Sequence, residues 1–217
     1  MGEFAKWFNT DARVAWDPII RAIVAHFYVV SIHPFGDGNG RTSRGVESFL
    51  LYLAGVNARS FYSLANYYYQ HRHEYVRFLD HVRFETNGDL APFVLFALKG
   101  LVSELQQVHA EVLTNVKRIA FRDYAREELA SHDKLGSSVG ERMSNLLVYL
   151  SDGEVVSLKA IRSGKHTLSG LYHKLTTKTL SRDINFLRQH ELVIVEGDKL
   201  RANLDVMTRY TPPLESM

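Results

Sequence analysis

Residues 33–44 read His-Pro-Phe-Gly-Asp-Gly-Asn-Gly-Arg-Thr-Ser-Arg, which crowds a base, a carboxylate, an amide and two guanidiniums among glycines. The chemistry these residue types support is that of a polyphosphate site. Asp37-Gly38-Asn39-Gly40 is a turn sequence, because Gly and Asn adopt positive φ at little cost. Val46, Phe49, Leu50 and Leu53 then recur at helical spacing, so a helix is predicted to open at the loop and end near Gly55. The first turn of such a helix leaves backbone N–H groups unpaired at the positive end of its dipole. Glycines without a Cβ let a phosphate approach those amides, making Gly38, Asn39 and Gly40 a candidate anion nest. Arg41 and Arg44, three apart on one helix face, could grip further phosphate oxygens. Asp37 supplies the hard oxygen ligand that a Mg²⁺ bridging phosphates requires. His33 is the group that can take a proton near neutral pH.

Two other phosphate or metal motifs fail on spacing. A P-loop needs four residues between its first Gly and Gly-Lys-Ser/Thr; here Gly36 to Gly40-Arg41-Thr42 is one short and has Arg for Lys. An EF-hand loop needs oxygen-bearing residues at alternate positions and a closing Glu, which this run lacks. At every specified position the stretch matches His-x-Phe-x-Asp/Glu-Gly-Asn-Gly-Arg-x-x-Arg, and by this signature residues 1–130 resemble the Fic family.

That resemblance implies transfer of AMP from ATP, with Mg²⁺, to a Ser, Thr or Tyr hydroxyl of a protein. His33 would be the general base. The amides of Gly38, Asn39 and Gly40, with the Asn39 side chain, would hold the α-phosphate; Arg41 and Arg44 would grip the leaving pyrophosphate, Arg44 at the γ-phosphate. Asp37 would hold the metal, and Phe35 would be the wedge that packs the loop onto the core. Fic relatives also transfer phosphate or phosphocholine, and some reverse AMP transfer; the intact Asp-Gly-Asn-Gly-Arg favours AMP. The family's edge-pairing flap would lie before residue 1, so the chain reads as N-terminally truncated. The family's inhibitory Ser/Thr-x-x-x-Glu-Gly/Asn motif is approached only by Ser137 to Glu141, which is followed by Arg142 and makes a poor helix. No self-inhibitory Glu is therefore expected on Arg44.

The elements that must position this run flank it. Ile20, Ile23, Val24 and Phe27 fit a helix that Pro34 stops at His33, leaving the imidazole at the exit. His26 within it is expected to be a packed or hydrogen-bonded core residue. Phe4, Trp7 and Phe8 share one face of an earlier helix. A helix holding Phe61, Leu64, Tyr67, Tyr68, Tyr75, Phe78 and Leu79 comes next, with one tyrosine of 67–69 a candidate to stack on adenine. The next helix starts near the N-cap Asp89 and carries Pro92 in its first turn. It runs on as an amphipathic, mixed-charge segment to residue 130.

Residues 131–140 are polar and glycine-rich and read as a linker. Beyond them the pattern is helix, strand (155–158), a helix through Leu168, Leu171, Tyr172 and Leu175, a polar-faced helix over 177–190, and a hairpin turning at Glu196-Gly197-Asp198. This order resembles a winged helix-turn-helix over residues 141–217. Lys178, Arg182 and Arg188 would face DNA from the recognition helix, and Lys199 and Arg201 from the wing, with Asp183, Glu191 and Glu196 diluting the basic face. The fold class expected is mainly α: a Fic-type helical core followed by a small α+β winged-helix domain.

The chain of 217 residues is 46% hydrophobic with a formal net charge of +2, ordinary for a soluble globular protein and too weak a charge to argue nucleic-acid or membrane binding. The absence of cysteine excludes disulfides and thiolate metal sites and suits the cytoplasm. No apolar run reaches the roughly 20 residues of a membrane span. A competing class is a DNA-binding regulator or protein-interaction module in which the Fic core is a sensor or inactive remnant. The protein target and the oligomeric state are left open by the sequence.

Overall fold

The computed structural model describes residues 1–56, 63–172 and 175–210, so the expected position of Phe61 lies outside the described residues. The chain forms two compact units, Met1–Glu111 and Val112–Met217.

In the first unit, α1 (Gly2–Phe8) and the single turn α2 (Asp11–Val14) lead into α3 (Pro18–Ile32). Phe4, Trp7 and Phe8 do share a face: Phe4 and Trp7 both pack on Tyr28 of α3, at 5.4 and 5.2 Å between ring centres. The start of α3 is fixed by Asp17, whose carboxylate accepts from the N–H of Ile19 (2.9 Å) and Ile20 (3.2 Å), and by Pro18 at the first position. Its end is fixed by His33, which turns left-handed (φ 53°) before Pro34. The phosphate-loop candidate then opens α4 (Asn39–Leu53), which packs directly on α3. The single helix expected to hold Tyr67 through Leu79 is two, α5 (Leu64–Gln70) and α6 (Arg72–Phe84), broken at His71, whose Nδ1 bonds the Tyr67 carbonyl at 3.0 Å. After a turn at Asn87-Gly88, both at positive φ, α7 spans Ala91–Ser131. Asp89 caps it by accepting from the Ala91 N–H at 2.9 Å. Ile23, Phe27, Tyr68, Tyr75, Phe93 and Phe96 form the centre of this unit's core.

The boundary expected at 131–140 falls earlier. Phe121, Ala125 and Leu129 of α7 are buried with Met143, Leu146 and Leu187, so the helix continues into the second unit's core and the units divide at Glu111 and Val112. The supposed linker shrinks to a loop, because Ser137 caps α8 (Ser138–Ser151) by accepting from the Gly140 N–H at 3.0 Å. The segment expected to be a poor helix is therefore a helix start. A side chain at Gly140 would lie 1.9 Å from the Lys134 carbonyl, which explains a glycine there.

The strand expected over 155–158 is only β1 (Val156–Ser157); Leu158 begins the short α9 (Leu158–Arg162) instead. The helix expected through Leu168 and Leu171 is a 3₁₀ turn, Thr167–Leu171. Next come α10 (Thr177–Gln189), β2 (Val193–Glu196), β3 (Lys199–Ala202) and a 3₁₀ turn at Leu204–Arg209. The sheet is antiparallel in the order β1-β3-β2, with Val156 opposite Leu200 and Val195 opposite Leu200 on the other side. The hairpin tip also caps α9. Asp198 accepts from the Ser157 hydroxyl and from the Lys159 N–H (2.9 Å), which hold its carboxyl below the ordinary range, the Ser157 bond foremost.

The fold is thus mainly α with a small three-stranded sheet, as expected. Asp183 corrects a second expectation. Its side chain is 4% exposed and accepts from Arg142 at both oxygens, 2.7 Å from Nε and 3.3 Å from Nη2. It therefore holds α10 to α8 and does not dilute the surface charge of α10. Asp183→Ala leaves the guanidinium buried without its partner and should cost about 3 to 5 kcal/mol. The check is a lowered urea midpoint, partly recovered in Asp183→Ala/Arg142→Met.

Candidate active site

The site is assembled from the end of α3, the loop and the first turn and a half of α4. His33, Gly36, Asp37, Gly38, Asn39, Gly40, Arg41 and Arg44 line one open cleft of about 300 Å³. Every residue assigned a nucleotide, metal or proton role thus faces one space, while Phe35 does not line it.

His33 is exposed, and its Nδ1 approaches the Val30 carbonyl at 3.4 Å. A carbonyl only accepts, so Nδ1 is the donor in this bond, and in the neutral ring Nε2 is the nitrogen that can accept a proton. The left-handed backbone at His33 costs about 1 kcal/mol or more for a residue with a Cβ. It sets the imidazole at the lip of the cleft instead of continuing the buried face of α3.

The first turn of α4 is open. Gly38, at φ 86°, is the N-cap, and no side chain caps the helix; the first internal bond is Thr42 N–H to the Gly38 carbonyl at 2.9 Å. Among the described residues the N–H groups of Asn39, Gly40 and Arg41 therefore have no partner. They are the orphan donors on which an anion can sit, at the positive end of the helix dipole. The Gly38 N–H is taken by the Asp37 carboxylate, Oδ1 at 2.6 Å.

The Asn39 side chain has a different place from the one expected. It is buried, accepts from the Phe35 N–H at 2.9 Å and donates to the Phe35 carbonyl at 2.5 Å. Its amide clamps the loop shut, and only its backbone N–H is free for phosphate. Phe35 is correspondingly held by its backbone; the residue is 50% exposed and is no wedge in the core. Asp37, with 92% of its side chain exposed, pairs with Arg41 across 3.0 Å. Such a surface pair is worth little and yields readily to a metal or phosphate. One exposed carboxylate beside an anion nest fits Mg²⁺, which keeps several waters and takes its other ligands from phosphates. Arg44 is half-buried, and its Nη1 lies 3.2 Å from where a Cβ on Gly40 would stand, so the glycine gives the guanidinium its place. Among the described residues no carboxylate forms an ion pair with Arg44.

Sequence reading missed what lies behind this surface. The buried face of α4 is Asn39, Ser43, Glu47 and Leu51, whereas Phe49 and Leu53, whose spacing predicted the helix, are 59% and 63% exposed. The polar stripe is buried because each member is bonded. The Ser43 hydroxyl donates to the Gly40 carbonyl at 3.1 Å, and Glu47 accepts from the Tyr68 hydroxyl at 2.8 Å. Glu47 also meets His26 Nδ1 at 3.1 Å, while His26 Nε2 meets the Tyr75 hydroxyl at 2.9 Å. His26 is thus a hydrogen-bonded core residue, as expected. The only signal available was the spacing of Asn39, Ser43, Glu47 and Leu51 by four. Of the three tyrosines considered for adenine, Tyr68 belongs to this network, Tyr67 stacks on His71 at 4.1 Å, and Tyr69 is exposed.

The basic residues expected to meet DNA fall into two groups. Lys178 and Arg182 line a groove of about 550 Å³ with Arg162, Thr177, Ser181 and Asn185. Arg188 and Lys199 are exposed but outside it, and Arg201 faces Glu196 (3.6 Å) and Asp205 (3.8 Å), which offset its charge. Arg162 was not anticipated, since α9 itself was not.

A model of the Fic/DOC family matches residues 1–51, which contain the whole cleft. The chain is similar to the protein adenylyltransferase Fic of Aedes aegypti, 40% identical over 96 residues, covering 44% of this chain and 17% of the relative. It is likewise similar to that of Drosophila melanogaster, 38% identical over 96 residues (44% and 18%). A third relative is protein adenylyltransferase fic-1 of Caenorhabditis briggsae, 36% identical over 107 residues (49% and 19%). The chain thus spans less than a fifth of the length of these relatives.

Burial pushes the Tyr75 hydroxyl up to about 12, with Arg44 pulling in the opposite sense and Glu47 adding to the rise. An unfolded tyrosine ionises near 10. The first unit should therefore keep the Tyr75 contribution to its stability below pH 10 and lose about 2 to 3 kcal/mol of it as the pH rises from there to about 12. Denaturant midpoints across that window check this, and Tyr75→Phe should flatten the decline.

Proposed function

We propose that the first unit transfers AMP from Mg-ATP to a Ser, Thr or Tyr hydroxyl of a protein. The observation that carries this reading is the convergence, in one cleft, of three N–H groups without a partner among the described residues (Asn39, Gly40, Arg41) with His33 and Arg44. The adenylyltransferase names of the relatives support it.

The acceptor oxygen attacks the α-phosphorus, and the bond from that phosphorus to the oxygen bridging toward the β-phosphate breaks, releasing pyrophosphate. His33 Nε2 takes the hydroxyl proton as the new bond forms. The open turn of α4 holds the α-phosphate and stabilises the charge that develops on its oxygens. Arg41 and Arg44 hold the pyrophosphate, Arg44 at its far end. A Mg²⁺ on Asp37 would supply charge neutralisation between neighbouring phosphates. Asn39 serves by clamping the loop, and Glu47, His26 and Tyr68 by fixing the helix that carries Arg44.

His33→Ala should lower transfer of label from α-labelled ATP by at least about 100-fold while leaving ATP affinity within a few-fold. Transfer at the normal rate by this variant would remove His33 from the reaction.

A second reading applies to the second unit. We infer that the order α8, β1, α9, α10, β2, β3 is a winged helix whose groove of Arg162, Lys178 and Arg182 meets nucleic-acid phosphates. Binding of the full chain to a DNA duplex should weaken steeply with salt, and Lys178→Ala/Arg182→Ala should reduce the slope of log affinity on log salt by about 2. An unchanged slope would make this unit a protein-contact module.

A further inference from the structure

In the second unit, Glu128, His132 and His190 each offer one ligand atom, and these three atoms lie within 4.8 Å of one another. We propose that they bind a divalent transition cation of the Zn²⁺ class.

Both imidazoles share one carboxylate oxygen at hydrogen-bonding distance, and a bound ion would replace those two contacts. Glu128 Oε1 lies 3.3 Å from His132 Nε2 and 3.0 Å from His190 Nδ1. A zinc with ligands at about 2.0 to 2.1 Å separates neighbouring ligand atoms by about 3.3 Å in a tetrahedron. Two of the three separations are near that length, and the third, between the two imidazole nitrogens, is within 4.8 Å. Two imidazoles and one carboxylate form a borderline-hard N/O set that suits zinc and its neighbours better than Mg²⁺ or Ca²⁺. The fourth position falls to water.

The contact is not the accident of one helix surface. Glu128 and His132 are a turn apart, but His190 arrives from 62 residues away in sequence. Each histidine is the first residue past a helix, His132 after α7 and His190 after α10, and the two ends are built alike. Past α7, Lys134 N–H bonds the Leu129 carbonyl (2.9 Å) and Asp133 N–H the Ala130 carbonyl (3.0 Å). Past α10, Leu192 N–H bonds the Leu187 carbonyl (2.8 Å) and Glu191 N–H the Arg188 carbonyl (3.1 Å). Both are Schellman ends, whose left-handed position normally takes glycine. Here it is taken by Asp133 (φ 52°) and Glu191 (φ 56°), which tolerate the strain directly after each imidazole.

Electrostatics point the same way. Two helix C-termini direct partial negative charge at the cluster and add to the carboxylate, which favours a cation between them. Phe186 walls one side, with its ring centre 5.7 Å from His132 and 4.4 Å from His190. The Glu128 and His190 side chains are only 26% and 23% exposed, while His132 at 40% leaves an entry path. Bound there, the ion would cross-link the end of α7 to the end of α10, away from the basic groove at the start of α10.

The test uses the full chain freed of metal with chelator. Calorimetric titration with ZnCl₂ should give one site of micromolar or tighter affinity and a raised melting temperature. Co²⁺ in its place should give the visible absorption of a four-coordinate ion. His132→Ala/His190→Ala should weaken Zn²⁺ by about 100-fold or more, and Glu128→Gln should weaken it by a smaller factor. In the unaltered protein, imidazole ¹⁵N spectra should shift at two of the ten histidines, His132 and His190. That readout does not depend on a variant folding. No heat of binding, equal affinity in the double variant, or shifts confined to other histidines would overturn the proposal.

Discussion

The candidate site depends on a helix start that is left unfinished. Most N-termini are closed by a Ser, Thr, Asp or Asn side chain that consumes the spare donors. At α4 the N-cap is Gly38, which has no side chain to offer, and the nearest amide, that of Asn39, is turned back onto the Phe35 backbone. Closing the loop and opening the helix are thus the same event. The clamp draws the chain into a tight bend, and the bend keeps the cap away from three N–H groups. Without it, Asn39 or Asp37 would be free to satisfy the turn, and an anion would have to compete with the protein's own oxygens.

An unfinished helix start needs a firm base, and the base is polar. Asn39, Ser43 and Glu47 occupy the side of α4 that packs inward, and Glu47 joins Tyr68, His26 and Tyr75 in one chain of bonds from α4 to α3, α5 and α6. A fully satisfied buried network is more directional than an apolar contact, because a rotation of the helix breaks every bond in it. It fixes the rotation of α4 about its axis and so sets the direction in which Arg44 leaves the helix. The left-handed cap at His33 does the same for the imidazole from the other side of the loop.

Much of this was legible in the sequence, for identifiable reasons. The motif announced its loop through Gly and Asn, its helix through the periodic apolar residues from Val46 onward, and the end of α3 through Pro34. What escaped was the phase of α4. Apolar periodicity predicted the helix but not its buried face, which is mostly polar, because Glu47 finds its partners His26 and Tyr68 21 residues away in sequence. Phe35 was misjudged likewise, since a motif gives residue types and not which part of a residue is held. In the second unit the helices and hairpin were readable from periodicity and from Glu196-Gly197-Asp198. The short α9 was not, because five residues capped by a hairpin tip 39 positions later carry little local signal. The boundary was misplaced because a polar, glycine-rich run resembles a linker even when it holds only a helix end and a helix start.

The central claim, that the open turn of α4 is where a nucleotide's phosphates sit, is tested most directly by amide spectroscopy. ¹H–¹⁵N spectra of the chain should be recorded as Mg-ATP is added, with AMP as the comparison. Large downfield shifts of the Asn39, Gly40 and Arg41 N–H signals are expected with ATP, saturating together. The Asn39 side-chain amide should stay in place, since it remains on Phe35. Saturable ATP binding that leaves those three amides unmoved, or that moves the Asn39 side chain instead, would contradict it.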